Sequence, residues 1–205
     1  MSSDLQSKYF APVTAADPNG ICQDQTNSSG AALTLNGALQ TASATIPFGT
    51  GQAQKITIEG SGNNAGITFA IVGTDSDGAA NGETITGPNN ATVTSVNFYQ
   101  KIVSITSSAA VTGNVEVGNV GTAVFTVNVG RTRLKGFTGT GGDTAGDFIF
   151  RNASTTGTVK FQQRISGAIE SVSYYMPEDG IVFKDGLYLE SATDVADGIN
   201  ILFTG

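Results

Sequence analysis

The feature that most constrains this chain is a hydrophobic period of two. Apolar and polar residues alternate in Lys55-Ile-Thr-Ile-Glu59, Ile67-Thr-Phe-Ala-Ile71 and Val124-Phe-Thr-Val-Asn-Val129, which places the apolar side chains of each run on one face of a strand. Similar short runs lie at 32–35, 83–85, 93–99, 102–105, 114–117, 148–150, 159–162, 169–175, 181–183, 187–189 and 199–203, so about fifteen short strands are expected. Between them stand turn formers such as Gly60-Ser-Gly-Asn-Asn64, Asp75-Ser-Asp-Gly78, Gly87-Pro-Asn-Asn90 and Asp185-Gly186. These supply positive φ or side-chain-to-backbone bonds that reverse the chain within a few residues. A short turn after Asp194, over Val-Ala-Asp-Gly, is the only place where helix is conceded.

Turn signals recurring roughly every 8 to 12 residues suit antiparallel sandwiches or small barrels and not βαβ units. The expected fold is all-β: two small antiparallel β-sandwich or barrel-like modules, Ig-like or jelly-roll-like, behind an extended N-terminal arm. Basic residues mark the joint between modules. Only Lys8, Lys55 and Lys101 precede Arg131, and all the other cations follow it. The expected boundaries are 1–30 for the arm, 31–128 for the first module and 129–205 for the second. In the arm, Tyr9, Phe10 and Val13 are the interface candidates, because aromatic rings on a free tail would forgo burial worth about 1.5–3 kcal/mol each. Cys22 is the lone cysteine, which leaves packing, backbone pairing or neighbouring chains to hold the fold. Edge strands rich in Thr, Ser and Asn with few lysines also favour a chain that works inside an assembly.

Composition removes several chemistries. The chain has no histidine and no tryptophan, and its net charge is −7. Imidazole-based triads, imidazole-ligated metals and histidine switches are thereby excluded. Without clustered cations, neither nucleic acid nor an anionic membrane is an expected partner. No apolar run approaches the roughly 20 residues of a spanning helix. The start, Met1-Ser-Ser-Asp-Leu-Gln, lacks the cationic and apolar regions of a signal peptide, so synthesis in a cytoplasm is expected.

The best metal candidate is Asp75, Asp77 and Glu83, since carboxylates two residues apart converge on a hard cation from one loop. The spacing departs from an EF-hand, with Gly78 arriving two residues early, and a turn capped by aspartate side chains outweighs a Ca²⁺ site. Gly136-Phe-Thr-Gly-Thr-Gly-Gly-Asp-Thr-Ala-Gly146 reads as a long flexible hairpin loop, because it lacks the Gly-Lys-Ser/Thr ending and the following helix of a phosphate cradle. The strand Arg131-Thr-Arg133-Leu-Lys135 projects three cations from one face, either into solvent or toward an acidic partner. No catalytic residue and no cofactor is expected.

Gly66-Ile-Thr-Phe-Ala-Ile-Val-Gly-Thr-Asp75, Glu83-Thr-Ile-Thr-Gly-Pro-Asn89, Val103-Ser-Ile-Thr-Ser107 and Gly113-Asn-Val-Glu-Val-Gly118, with the lead-in Asp17-Pro-Asn-Gly-Ile21 and Leu33-Thr-Leu-Asn-Gly37, form a further pattern. It resembles a β module of tailed-bacteriophage virion structural proteins. Met176-Pro-Glu-Asp-Gly-Ile-Val-Phe-Lys-Asp-Gly-Leu-Tyr-Leu189 is similar to small all-β virion proteins of podoviruses and their relatives. These motifs consist of turns and alternation, so no active-site residue is carried over. The resemblance implies a repeated, self-assembling subunit of a phage particle, put together in the host cytoplasm. The expectation is a non-enzymatic capsid decoration or cement protein, a homo-oligomer expected to be a trimer, with the major capsid protein or another virion protein as partner. The rival readings are a tail fibre, knob or adaptor, and a bacterial carbohydrate-binding or adhesive module.

Overall fold

The computed structural model describes residues 4–41, 45–48, 51–167, 170–191 and 195–205. Those residues form sixteen strands and no helix. The first eight are β1 (Gln6–Phe10), β2 (Asp17–Gln25), β3 (Ile46–Pro47), β4 (Gln52–Gly60), β5 (Thr68–Thr74), β6 (Ala80–Thr86), β7 (Thr92–Thr94) and β8 (Lys101–Ser107). The rest are β9 (Val115–Asn128), β10 (Thr132–Gly141), β11 (Gly146–Asn152), β12 (Val159–Ile165), β13 (Ser171–Tyr175), β14 (Ile181–Phe183), β15 (Leu187–Ser191) and β16 (Val195–Thr204). The conceded turn at 195–198 is therefore strand, while Asp194 lies outside the described residues.

The chain divides into an N-terminal unit, Ala15–Gly49 with Ala53–Gly121, and a C-terminal unit, Met1–Thr14, Thr50–Gln52 and Thr122–Gly205. Each is an antiparallel sandwich, and no closed barrel forms. In the N-terminal unit one sheet runs β3-β8-β5-β6, and the other is built from β2, the first half of β9, β4 and β7. Period-two alternation sends Phe69 and Ile71 of β5 inward, and a register shift in β8 between Ile102 and Ser104 brings both Ile102 and Ile105 inward as well, where they meet Ile56, Ile58, Val115 and Val117 of the facing sheet. In the C-terminal unit, β1-β16-β10-β13, with β14 also on β10, faces β12-β11-β15 and the second half of β9. Its core holds Phe10, Phe125, Phe137, Phe148, Phe150 and Phe183, all buried.

The arm is the largest correction. The described part of the expected 1–30 arm, from residue 4 on, does not form a free tail: β1 pairs antiparallel with β16, from Gln6 opposite Phe203 to Phe10 opposite Ile199. β2 pairs with β9 in the N-terminal unit. Both strands escape a period-two reading for local reasons. β1 has only five residues. β2 carries Pro18 and Gly20 and makes two register shifts against β9, between Asp17, Cys22 and Gln25, which breaks alternation. The joint also moves, from near Gly130 to Gly121/Thr122, in the middle of β9. The runs at 114–117 and 124–129 both fall on that one strand, apart from Asn114 and Val129 at its two ends.

The expected flexible loop at 136–146 is mostly strand as well, since β10 continues to Gly141. Its glycines mark close approach, not freedom. A Cβ at Gly139 would stand 3.2 Å from the Phe148 ring, and one at Gly141 would stand 2.5 Å from Ile165 Cγ2. The facing sheet fills the space that side chains would otherwise need.

Candidate interaction surfaces

The residues singled out from the sequence fall into three places. Phe10 is 1% exposed and sits in its own unit's core, its ring 4.8 Å from that of Phe125. Val13, half-buried, packs against the same core. Lys8 fastens β1 to β9, donating from Nζ to the Thr126 and Val127 carbonyls at 2.8 and 3.3 Å while standing over the Phe10 ring. Phe10 therefore serves the chain's own core. Tyr9, one residue away on the opposite strand face, is 62% exposed.

The cationic strand is largely committed within the molecule. Arg133 Nη1 lies 3.4 Å from Asp179 Oδ2 and donates to the Asp179 carbonyl at 3.3 Å, and Lys135 Nζ donates to the Glu178 carbonyl at 2.8 Å. Both clasp the turn before β14, and Glu178 in that turn has a φ of 55°. Arg131 precedes β10 and is exposed. Alternation does place Thr132 and Leu134 on the buried side.

Asp75, Asp77 and Glu83 do not converge. Asp75 Oδ1 accepts from the backbone N–H groups of Asp77 and Ala79 at 2.9 and 3.0 Å, closing the turn that Gly78 completes with a φ of 80°. Glu83 accepts from the Val96 and Asn97 N–H groups at 3.0 and 3.2 Å and from the Tyr99 hydroxyl at 3.2 Å. Its carboxylate is turned to that segment and away from the loop. No group of three or more metal-ligating side chains occurs among the described residues. Burial, and then the Glu83 charge, hold the Tyr99 phenol well above the usual tyrosine range. Burial alone pushes the Cys22 thiol up to about 12, so it stays protonated and is a poor nucleophile.

The surface that differs from ordinary solvated sheet lies on the N-terminal unit. β5 pairs with β6 as Thr68↔Thr86, Ala70↔Thr84, Val72↔Gly82 and Thr74↔Ala80, and with β8 as Ala70↔Thr106 and Val72↔Ser104. These are the outward positions, and among the described residues the one charged residue facing them is Lys101, opposite Thr74 at one end of the patch. Val72 and Val103 are 49% and 46% exposed there. The other sheet's outward face is acidic: Asp24, Glu59 and Glu116 stand near one another, and burial followed by the Glu59 and Asp24 charges raises the Glu116 carboxyl above its ordinary range. One face of this sandwich is rich in carboxylates and the other is Thr-rich with two exposed valines, Val72 and Val103. Residue-by-residue motif reading misses the Thr-rich face. Its signal is β5 itself, Thr68–Thr74, which has no charge at either inward or outward positions.

β6 is an edge strand whose outward residues are Ala80, Gly82, Thr84 and Thr86, and its edge is partly covered: Asn97 Nδ2 donates to the Gly82 carbonyl at 3.1 Å, and Glu83, a charge on the other face of the strand, holds the Val96 and Asn97 N–H groups. Compared with known proteins, the chain matches no family model, no curated protein and no solved structure.

Proposed function

We propose that this chain is a non-enzymatic structural protein of a bacteriophage particle, a decoration or cement subunit bound in many copies to the head lattice. The observation that carries this reading is the asymmetry of the N-terminal sandwich, Thr-rich and uncharged on β8-β5-β6 except for Lys101 at one end, and rich in carboxylates on the opposite face. The Thr-rich sheet packs on the shell or on a neighbouring copy, and the acidic sheet faces solvent. The likeness of 66–75, 83–89, 103–107 and 113–118 to virion β modules supports the same assignment. Stabilisation comes from apolar and Thr-rich surface buried at each joint, summed over the copies bound. The bound form is taken as a homotrimer, with the major capsid protein as its other partner.

Two measurements test this. Immunogold electron microscopy of particles carrying the chain is expected to label heads. Label confined to tails would move the protein to a tail fibre, knob or adaptor, and intact particles without label would overturn the reading. Val72→Glu places a negative charge at the exposed valine of this face without touching the core. It is expected to cut the number of bound copies at least about tenfold, because an unpaired charge buried at a joint costs several kcal/mol, while leaving the melting temperature of the free protein unchanged.

A further inference from the structure

A trough of about 340 Å³ opens on the outward face of the C-terminal unit's β1-β16-β10-β13 sheet. One cross-strand row spans it. Tyr9 on β1 stands opposite Asn200 on β16, Asn200 opposite Thr138 on β10, and Thr138 opposite Ser173 on β13. Adjacent strands lie about 4.8 Å apart, so the row is on the order of 14 Å long. Beside it the Thr140 and Ser171 hydroxyls lie 3.0 Å from each other. The Ser7 hydroxyl donates to Asn200 Oδ1 at 2.7 Å, which orients the carboxamide and leaves its Nδ2 hydrogens as donors. Among the described residues that line it none is charged.

Tyr9 forms one end of the trough in a particular way. The tip of its ring rests on Gly198: a Cβ at that glycine would lie 2.5 Å from the Tyr9 Oη and 2.7 Å from Cζ, and Gly198 has a φ of 90°. The ring is thus held down against β16 and is still 62% exposed, presenting aromatic surface to solvent beside the hydroxyl row.

This combination selects a ligand chemistry. A charged ligand would find no counter-charge. A purely apolar one would strip water from the hydroxyls and the carboxamide without replacing their hydrogen bonds, at about 1–3 kcal/mol for each group left unpaired. A pyranose satisfies both halves, with C–H groups on one face to lie against an aromatic ring and hydroxyls at its edge to exchange hydrogen bonds. We infer that the trough binds a neutral oligosaccharide, with Tyr9 as the stacking platform and Asn200, Thr138 and Ser173 as the hydrogen-bonding row. The inference stands on the C-terminal unit alone and does not depend on the particle assignment.

The test is native affinity electrophoresis of the full chain through gels containing galactomannan, laminarin or soluble starch, with alginate as the anionic control. Retardation is expected with at least one neutral polysaccharide and not with alginate. Tyr9→Ala is expected to weaken it about tenfold by removing the stacking surface. Because Tyr9→Ala also disturbs the docking of β1, Ser173→Arg provides the second variant: it fills the trough from an exposed position on an edge strand and is expected to abolish retardation. Val159→Arg, on β12 of the opposite sheet, is expected to leave retardation unchanged. Free migration of the wild-type chain in all three neutral gels would overturn the inference, as would equal retardation in alginate or undiminished retardation of Ser173→Arg.

Discussion

The two units solve the same problem with different interiors. The C-terminal core is a cluster of phenylalanines, with Phe137 4.9 Å from Phe150 and 5.9 Å from Phe148 by ring centroid. The N-terminal core is mainly isoleucine and valine, and buried amides are set around it. Asn119 Nδ2 donates to Gln54 Oε1 and to the Ala15 carbonyl, both at 2.8 Å, and the Gly121 N–H donates to the same Gln54 oxygen at 3.0 Å. Asn64 reproduces a strand pairing with Thr112, accepting from its N–H at 2.8 Å and donating to its carbonyl at 3.2 Å. The contrast follows from backbone regularity. Where strands run into short turns, ladders satisfy the backbone and large rings complete the packing over glycine-rich strands. Where long irregular segments such as 61–67 and 108–114 cross the edge of a sandwich, side-chain amides must supply the hydrogen bonds that no ladder provides.

The strongest way to break this comparison is to remove β1. Deleting residues 1–14 takes Phe10 out of the aromatic core, which alone is expected to cost about 3–5 kcal/mol, and it also opens β16. Calorimetry should find the C-terminal unit's transition sharply lowered. An unchanged transition would mean that β1 adds nothing to this core, and Phe10→Ala would then also be silent.

Alkaline titration sharpens the comparison next. Cys22 and Tyr99 both belong to the N-terminal core and hold their protons more tightly when folded than when unfolded. Their contribution is therefore whole below about pH 9, the ordinary range of a thiol, and is lost as pH rises. The Tyr99 share begins near pH 10, and each group costs about 1.4 kcal/mol per pH unit until its folded pKa is reached. Thermal melting between pH 8 and 11 should destabilise the wild-type N-terminal unit steeply. A Cys22→Ala, Tyr99→Phe double variant should flatten that slope, and an equal slope in both proteins would refute the assignment.

The smallest expected effect tests the amide pins. Asn64→Ala leaves the Thr112 N–H and carbonyl without their partner and should cost about 1–3 kcal/mol. Hydrogen exchange at the Thr112 amide should accelerate with it. A cost near zero would make the N-terminal unit a core-packed sandwich like the other.

Strand identity was widely legible because burial follows alternation. The runs around Ile56, Phe69, Phe148 and Leu189 became β4, β5, β11 and β15 with their apolar residues inward. Other runs were only partly strand: of 93–99, Thr92–Thr94 is a strand and Tyr99 makes a single bridge to Gln54. The run at 32–35 has one bridge, Ala32 to Thr106. In both places side chains compete with the ladder: Ser95 Oγ accepts from the Ile56 N–H, and the Gln25 carboxamide pairs with both the N–H and the carbonyl of Thr34.

The surfaces were far less legible. Tyr9, Asn200, Thr138 and Ser173 stand in one row only because β1, β16, β10 and β13 are neighbours, and nothing local in those residues specifies their partners. The interface reading of Phe10 failed for the same reason, since a five-residue strand does not announce the sheet it joins. By itself the sequence determined an all-β chain, the inward face of most strands and the absence of imidazole chemistry, because these depend on residue type and near-neighbour spacing. Tertiary structure decided which strands pair, which unit owns the N-terminus and which outward faces are Thr-rich or hydroxyl-lined, because strand register joins residues separated by up to nearly the whole chain length.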